Sequence, residues 1–143
     1  MPYVSIWVHL IWATKNRYPY LKKEIRPILI QHIQENAFCK GIHLDFINGA
    51  EDHIHTLISL KPNQDIAQIA MLLKGESSHW INQKKIVEFE FGWQDEYIAI
   101  SISKSGINRI REYIKNQEKH HQKQSFADEY REFIQKYGFE RGG

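Results

Sequence analysis

The alternation of apolar and polar positions divides the chain into short elements. Residues 3–14 are β-branched and aromatic and predict a strand, followed by the basic turn Lys15-Asn16-Arg17-Tyr18-Pro19. Between residues 22 and 40, Ile25, Ile28, Leu29, Ile33, Ala37 and Phe38 recur mostly three or four apart, which predicts a helix stopped by Gly41. Residues 42–48 alternate Ile42, Leu44 and Phe46 against His43, Asp45 and Ile47, and residues 53–60 form the next strand, ended by Pro62. The short Gly49-Ala50-Glu51-Asp52 connection makes these two strands an antiparallel hairpin. Residues 63–83 are expected to be helical, with Ile66, Ile69, Ala70, Leu73, Trp80 and Ile81 near one side. Residues 86–93 and 97–103 read as strand segments around a Gly92–Glu96 loop. Residues 104–123 read as one basic helix on Ile107, Ile110 and Ile114, and residues 126–137 as a last short helix before a glycine-containing tail.

The order β-α-β-β-α-β followed by more helix is the ferredoxin-like, split-βαβ arrangement. The expected class is α+β: an antiparallel sheet with helices on one face, plus additional C-terminal helices. A fifth strand forms if residues 86–91 pair. The 143 residues suit one domain, 1–143, with a core over about residues 3–120 and a C-terminal helix and tail over 125–143. With 42% hydrophobic and 25% charged residues, disorder and collagen-like repeats are excluded. Cys39 is the one cysteine, so neither a disulfide within the chain nor a cysteine zinc site is available. The apolar stretch near the start contains His9 and is too short to span a membrane, which points to a mature cytoplasmic protein. The net charge of +2 conceals an uneven distribution: residues 103–124 carry six Lys/Arg against two acids, an expected face for an anionic partner.

Three groups of residues carry possible chemistry. His53 and His55 are i and i+2 on a strand and project from one sheet face, leaving Ile54, Ile58 and Leu60 for the core. Two neutral imidazoles side by side can chelate a divalent metal, although His-x-His also occurs on ordinary polar strands. Tyr113 and Gln117 are i and i+4 and share a helix face. A tyrosine oxygen can attack phosphorus, but a phenol with its usual pKa near 10 needs a nearby metal or base, and a half-buried structural tyrosine is the plainer alternative. Lys15, Arg17, Lys74, Ser77, Ser78, Trp93 and Tyr97 are of the types that neutralise phosphates, bond them or stack bases, and each is equally explained by solvation or packing. Gly75 inside a helical stretch suggests close approach of another backbone. No phosphate-binding Gly-x-x-x-x-Gly-Lys loop, dinucleotide fingerprint or nucleophile elbow is present. His120 and His121 fit helix C-terminal cations. His9 is either structural or substrate-facing.

Taken together, Asp52-His53-Ile54-His55-Thr56-Leu57-Ile58, Leu73-Lys74-Gly75-Glu76-Ser77-Ser78 and Tyr113-Ile114-Lys115-Asn116-Gln117 resemble the motifs of the single-tyrosine, IS200-like transposases of small bacterial insertion sequences, within the His-hydrophobic-His endonuclease superfamily. His9-Leu10-Ile11-Trp12-Ala13-Thr14-Lys15-Asn16-Arg17 is similar to that family's first strand and basic turn, so the resemblance covers residues 3 to about 120. It implies a ferredoxin-like fold, and a Mg or Mn ion held by His53, His55 and Gln117. It implies Tyr113 as nucleophile, giving a 5′-phosphotyrosine link and a free 3′-OH. It implies single-stranded DNA with a hairpin at the element ends as substrate, contacted by Lys15, Arg17, Lys74, Ser77, Ser78, Trp93 and Arg109. It implies a homodimer whose active sites are shared, the helix from about residue 104 to 123 packing onto the other protomer. Glu76 departs from the pattern by putting an acid in the Lys-Gly-x-Ser-Ser stretch, and the tail after Lys123 is acidic on balance. Two other functions use the same sequence. A domesticated relative would act on host repeats with the same residues. A non-catalytic nucleic-acid-binding module would bind without metal or adduct, but the aromatic strand signature of such modules is missing.

Overall fold

The computed structural model describes residues 2–138. Its elements in chain order are β1 (Ile6–Ala13), α1 (Arg26–Cys39), β2 (His43–Gly49), β3 (His53–Leu60), α2 (Ile66–Gln83), β4 (Ile98–Ile102), α3 (Ile107–Lys115), α4 (Gln117–Lys123) and α5 (Phe126–Tyr137). The strands form one antiparallel sheet in the order β2-β3-β1-β4, the ferredoxin-like topology expected from the sequence. The tail beyond residue 138 lies outside the described residues. Among the described residues no helix is long and apolar enough to cross a membrane.

Both faces of the sheet are covered, whereas the pattern predicted packing on one. Leu10 and Trp12 of β1 and Ile54 and Ile58 of β3 meet Leu29 and Ile33 of α1 and Ile69 and Leu73 of α2. On the opposite face Leu57 packs with Ile107 and Ile114 of α3, and Ile11, Ile98 and Ile100 pack with Phe126 of α5. The physical reason is visible in β1 and β3. Both are central strands whose side chains are apolar or buried on the two sides, so the second face needs a cover, and the C-terminal helices supply it.

Two other segments depart from expectation. Residues 86–93 form no strand; Asn82 holds Phe91 through two hydrogen bonds, 2.8 and 2.9 Å, and only Trp93 bridges to Thr14. The side-chain amide has taken the backbone groups that a strand ladder would use. The basic helix over 104–123 is two helices, broken at Asn116 (φ −96°, ψ 22°), whose amide donates to Glu112 O at 2.9 Å. That local bond competes with the helical ladder and turns α4 away from α3. Side-chain caps fix two helix starts: Asp65 accepts from Gln68 N for α2, and Ser125 accepts from Asp128 N for α5. Gly138 (φ 56°) closes α5 in the left-handed conformation.

Candidate active site and metal centre

The hairpin of β2 and β3 sets the histidines. Gly49 opens the turn, where a Cβ would stand 2.5 Å from His53 O, so a larger residue would displace the start of β3. From there His53, His55 and Leu57 point to the α3–α5 face, and both histidines are fully buried. The antiparallel register sets Ile11 of β1 opposite His55 and brings His9 alongside, His9 Nε2 lying 2.8 Å from His55 Nδ1.

Helix α3 is pinned over β2 at two places. Arg111 makes paired hydrogen bonds to Asp45 Oδ1 and Oδ2, both 2.7 Å, beside the irregular register between Leu44 and Phe46. Asn48 donates to Ile114 O at 3.1 Å and Lys115 O at 3.0 Å, satisfying carbonyls that the end of the helix leaves open. This sets Tyr113 against the histidines, its ring centroid 5.7 Å from that of His55 and 6.0 Å from that of His9. Gln117 begins α4, is fully buried, and donates to Tyr113 O at 3.2 Å, which aims its Oε1 at His53 Nε2, 3.1 Å away. All four groups converge within the chain, with α3 packed on β2 and β3.

The buried polar groups of this face are of the types that hold a cation. His53 Nδ1 lies 2.7 Å from Asp52 Oδ1, and its Nε2 lies 3.1 Å from Gln117 Oε1. His55 repeats the arrangement: Nδ1 is engaged by His9, and the buried Nε2 makes no hydrogen bond, although Glu129 Oε1 stands 3.1 Å away. An imidazole fixed at Nδ1 with its other nitrogen open is the usual state of a metal-ligating histidine. His53, His55 and Glu129 place ligand atoms within 4.8 Å of one another. Nitrogen and oxygen donors of this kind suit a divalent ion.

Burial, opposed by contact with Glu129, pulls the His55 pKa down to about 4, and burial beside His55 puts His9 well below the ordinary value. Burial and then the Glu129 charge push the Tyr113 phenol upward, and it donates to Glu129 Oε1 at 2.6 Å. Burial disfavours the Glu129 carboxylate, but His55 and the Tyr113 hydroxyl outweigh it and hold its pKa well below the usual range. Glu129 was not foreseen from the sequence. Its available signal is position: it shares the inward side of α5 with Phe126 and Phe133, where a carboxylate has no packing reason to be. His120 and His121, expected as terminal cations, border the site; the His120 ring lies 4.7 Å from Tyr113, and His121 Nδ1 lies 3.8 Å from Asp52.

The residues expected to face DNA divide into two sets. Trp93 is buried against Trp12 and Phe91 and donates to buried Ser77 at 2.9 Å, so their polar atoms are used inside the fold. Lys74 donates to Asp95 O and Glu96 O, and its half-burial lowers its pKa. Arg17 stacks its guanidinium on Tyr130 and Phe126 of α5. Lys15 and Arg109 are exposed, and Ser78 is partly so.

Comparison with known proteins identifies the family and the fold. The family model for IS200-like transposases matches residues 2–117. The ISDra2 transposase TnpA of Deinococcus radiodurans is 28% identical over 114 residues, 76% of this chain and 81% of that protein. A crystal structure of a transposase from Deinococcus radiodurans R1 superposes with a TM-score of 0.66 at 25% identity, covering 82% of this chain and 94% of that one. The structure of a REP-associated tyrosine transposase bound to a REP hairpin shares the fold, with a TM-score of 0.60 at 15% identity over 81% of this chain and 68% of that one. The matched span holds His53, His55, Tyr113 and Gln117, and the chain belongs to the IS200-like transposases.

Proposed function

We propose that this transposase cuts and rejoins single-stranded DNA by transesterification through Tyr113. The observation that carries the reading is the convergence of Tyr113, His53, His55 and Gln117 on one buried face of the sheet. The Tyr113 oxygen would bond to phosphorus while the phosphorus–O3′ bond breaks. The phenolic proton is given up, the 3′ oxygen gains one, and the 5′ side of the break stays on the protein as a phosphotyrosine. Attack by a new 3′-OH reverses these changes and seals the strand. The phosphodiester energy is conserved in the intermediate, so no nucleotide triphosphate is required.

His53, His55 and Gln117 would hold a divalent ion, Mg or Mn, which when bound supplies positive charge to the scissile phosphate. Asp52 and His9 orient the two imidazoles by accepting or sharing their Nδ1 protons. Exposed Lys15 and Arg109 would contact phosphates, as would partly exposed Ser78. A hairpin at the element ends is proposed as the recognised DNA, supported by the similar fold of the transposase bound to a REP hairpin. The protein would act as a homodimer in the cytoplasm, each site completed by its own Tyr113. Ser77 and Trp93 would serve this site by holding the loop after α2, and Lys74 and Arg17 by bracing its neighbours.

Covalent capture tests the reading. Labelled single strands from both flanks of the gene are mixed with the wild type or with Tyr113→Phe, in manganese or in chelator, and run on a denaturing gel. A metal-dependent shifted band in the wild type alone is expected. The same band in Tyr113→Phe would overturn the nucleophile, and a band that persists in chelator would overturn the metal.

A further inference from the structure

Glu129 lies on α5, beyond the residues matched by the family model, and is 2% exposed. A buried carboxylate needs compensation. Its contacts are the Tyr113 hydroxyl at 2.6 Å and His55 Nε2 at 3.1 Å. The second contact is unexplained by hydrogen bonding, because the imidazole nitrogen makes no hydrogen bond and its partner nitrogen is engaged by His9. A buried imidazole nitrogen and a buried carboxylate oxygen are thus held 3.1 Å apart without a hydrogen bond between them. His53 Nε2 and Gln117 Oε1 lie 3.1 Å apart on the other side of the histidine pair. The ligand atoms of His53, His55 and Glu129 all lie within 4.8 Å of one another, close enough to share one cation.

We propose that Glu129 is a fourth protein ligand of the divalent ion, joining His53, His55 and Gln117, and that metal binding thereby docks α5 on the sheet. This rests on the metal reading given above and extends it to a helix outside the matched span. The set becomes two imidazoles, one amide oxygen and one carboxylate. A carboxylate on a hard cation is also a stronger anchor than the amide. The Tyr113 hydroxyl competes for the same Glu129 oxygen, so filling the site frees the phenol from the carboxylate. Helix α5 otherwise rests on Phe126 and on partly buried Tyr130 and Phe133, with Arg17 stacked on its outer rings.

The test measures manganese binding to the full chain by calorimetry and paramagnetic resonance, without DNA, in the wild type, Glu129→Leu and Tyr113→Phe. Losing a residue that merely orients a ligand costs about 10–100-fold in affinity, so losing a ligand should cost at least ~10-fold. Tyr113→Phe should bind manganese at least as tightly as the wild type. Hydrogen exchange on the wild type is an independent readout that does not depend on the folding of a variant: manganese should slow exchange across residues 126–137. Affinity within twofold of wild type in folded Glu129→Leu, or exchange in α5 indifferent to manganese, would overturn the assignment while leaving the two-histidine site standing. Failure of the wild type to bind manganese at all would overturn the metal reading and this inference with it.

Discussion

Arg111 holds Asp45 by two hydrogen bonds of 2.7 Å, and this pair joins the tyrosine helix to the edge strand of the sheet. The pair is partly exposed, with side chains 39% and 15% accessible, so solvent screens its contribution to folding. Its effect on chemistry is larger, because misplacing a reacting group by about 1 Å can cost ~100-fold in rate. Asp45→Ala is expected to melt close to wild type while forming the DNA adduct at least ~10-fold more slowly. Single-turnover gel kinetics beside thermal denaturation measure both. Equal loss of stability and rate would make the pair a fold element only.

Gly49 is the second geometric determinant. A methyl group there meets His53 O at 2.5 Å and Ile54 Cδ1 at 2.8 Å, and the first of these is backbone. Gly49→Ala should cost about 1–3 kcal/mol, the usual range for overpacking, and should weaken manganese binding by moving His53. Calorimetry on the folded fraction separates the two effects. Wild-type metal affinity in this variant would show that the turn does not set the ligand.

How much of this was legible beforehand depended on whether the cause was local. The strand His53–Leu60 and the helix Phe126–Tyr137 emerge with the bounds read from their apolar spacing, since burial and caps act within a few residues. The convergence of His53, His55, Tyr113 and Gln117 was reachable only through a resemblance of motifs. Spacing alone cannot say that α3 crosses β2, which depends on Asp45 and Asn48 far away in the chain. Trp93 and Ser77 looked equally suited to DNA or to packing, and their mutual hydrogen bond depends on how the loop after α2 folds back. Glu129 was hidden because one acid in an amphipathic helix has no signature until its face is known. The break at Asn116 was hidden because α4 (Gln117–Lys123) has no apolar residue whose spacing could mark a change of direction.

Acid should destabilise the metal-free protein in a defined window. His55 is surrounded by His9 on β1, His53 on β3, Tyr113 on α3, His120 on α4 and Glu129 on α5. It titrates near 4 when folded against 6.5 when free. The folded pKa is the lower one, so the stabilisation is complete above about pH 6.5 and is lost as pH falls toward 4. The unfolded chain takes up a proton over that range and the folded chain does not. His55 alone should contribute about 3 kcal/mol across the window, and His9, shifted the same way, adds to it. Urea midpoints in chelator at pH 7.5, 6 and 5 should fall steadily. A flat profile would mean that the histidines charge freely in the fold.

Ser77 and Arg109 should respond in opposite ways. Ser77→Ala leaves the buried Trp93 Nε1 without its acceptor, at a cost of about 1–3 kcal/mol, with little effect on DNA affinity once folded. Arg109→Ala should leave stability unchanged, weaken binding to single strands, and lower the salt dependence of log K by about one. Fluorescence anisotropy at several salt concentrations measures this. A loss of affinity in folded Ser77→Ala would return that serine to the DNA interface.

The last prediction concerns which chain supplies the nucleophile. In this arrangement Tyr113 lies 5.7 Å, ring to ring, from its own chain's His55, and Gln117 of the same chain reaches His53. A site built from one chain cannot be repaired by a neighbour. Mixing Tyr113→Phe with His53→Ala should therefore yield no adduct, because every chain lacks either the nucleophile or a ligand. If α3 instead crossed to a partner, half of the mixed pairs' sites would combine an intact Tyr113 with an intact His53, and adduct would return toward a quarter of the wild-type amount at equal mixing. The assay needs co-refolded protein, so that subunits exchange, and light scattering to establish that pairs form. Recovery of adduct only in the mixture would place α3 on the partner and would require Asp45 and Asn48 to grip the partner's helix rather than their own.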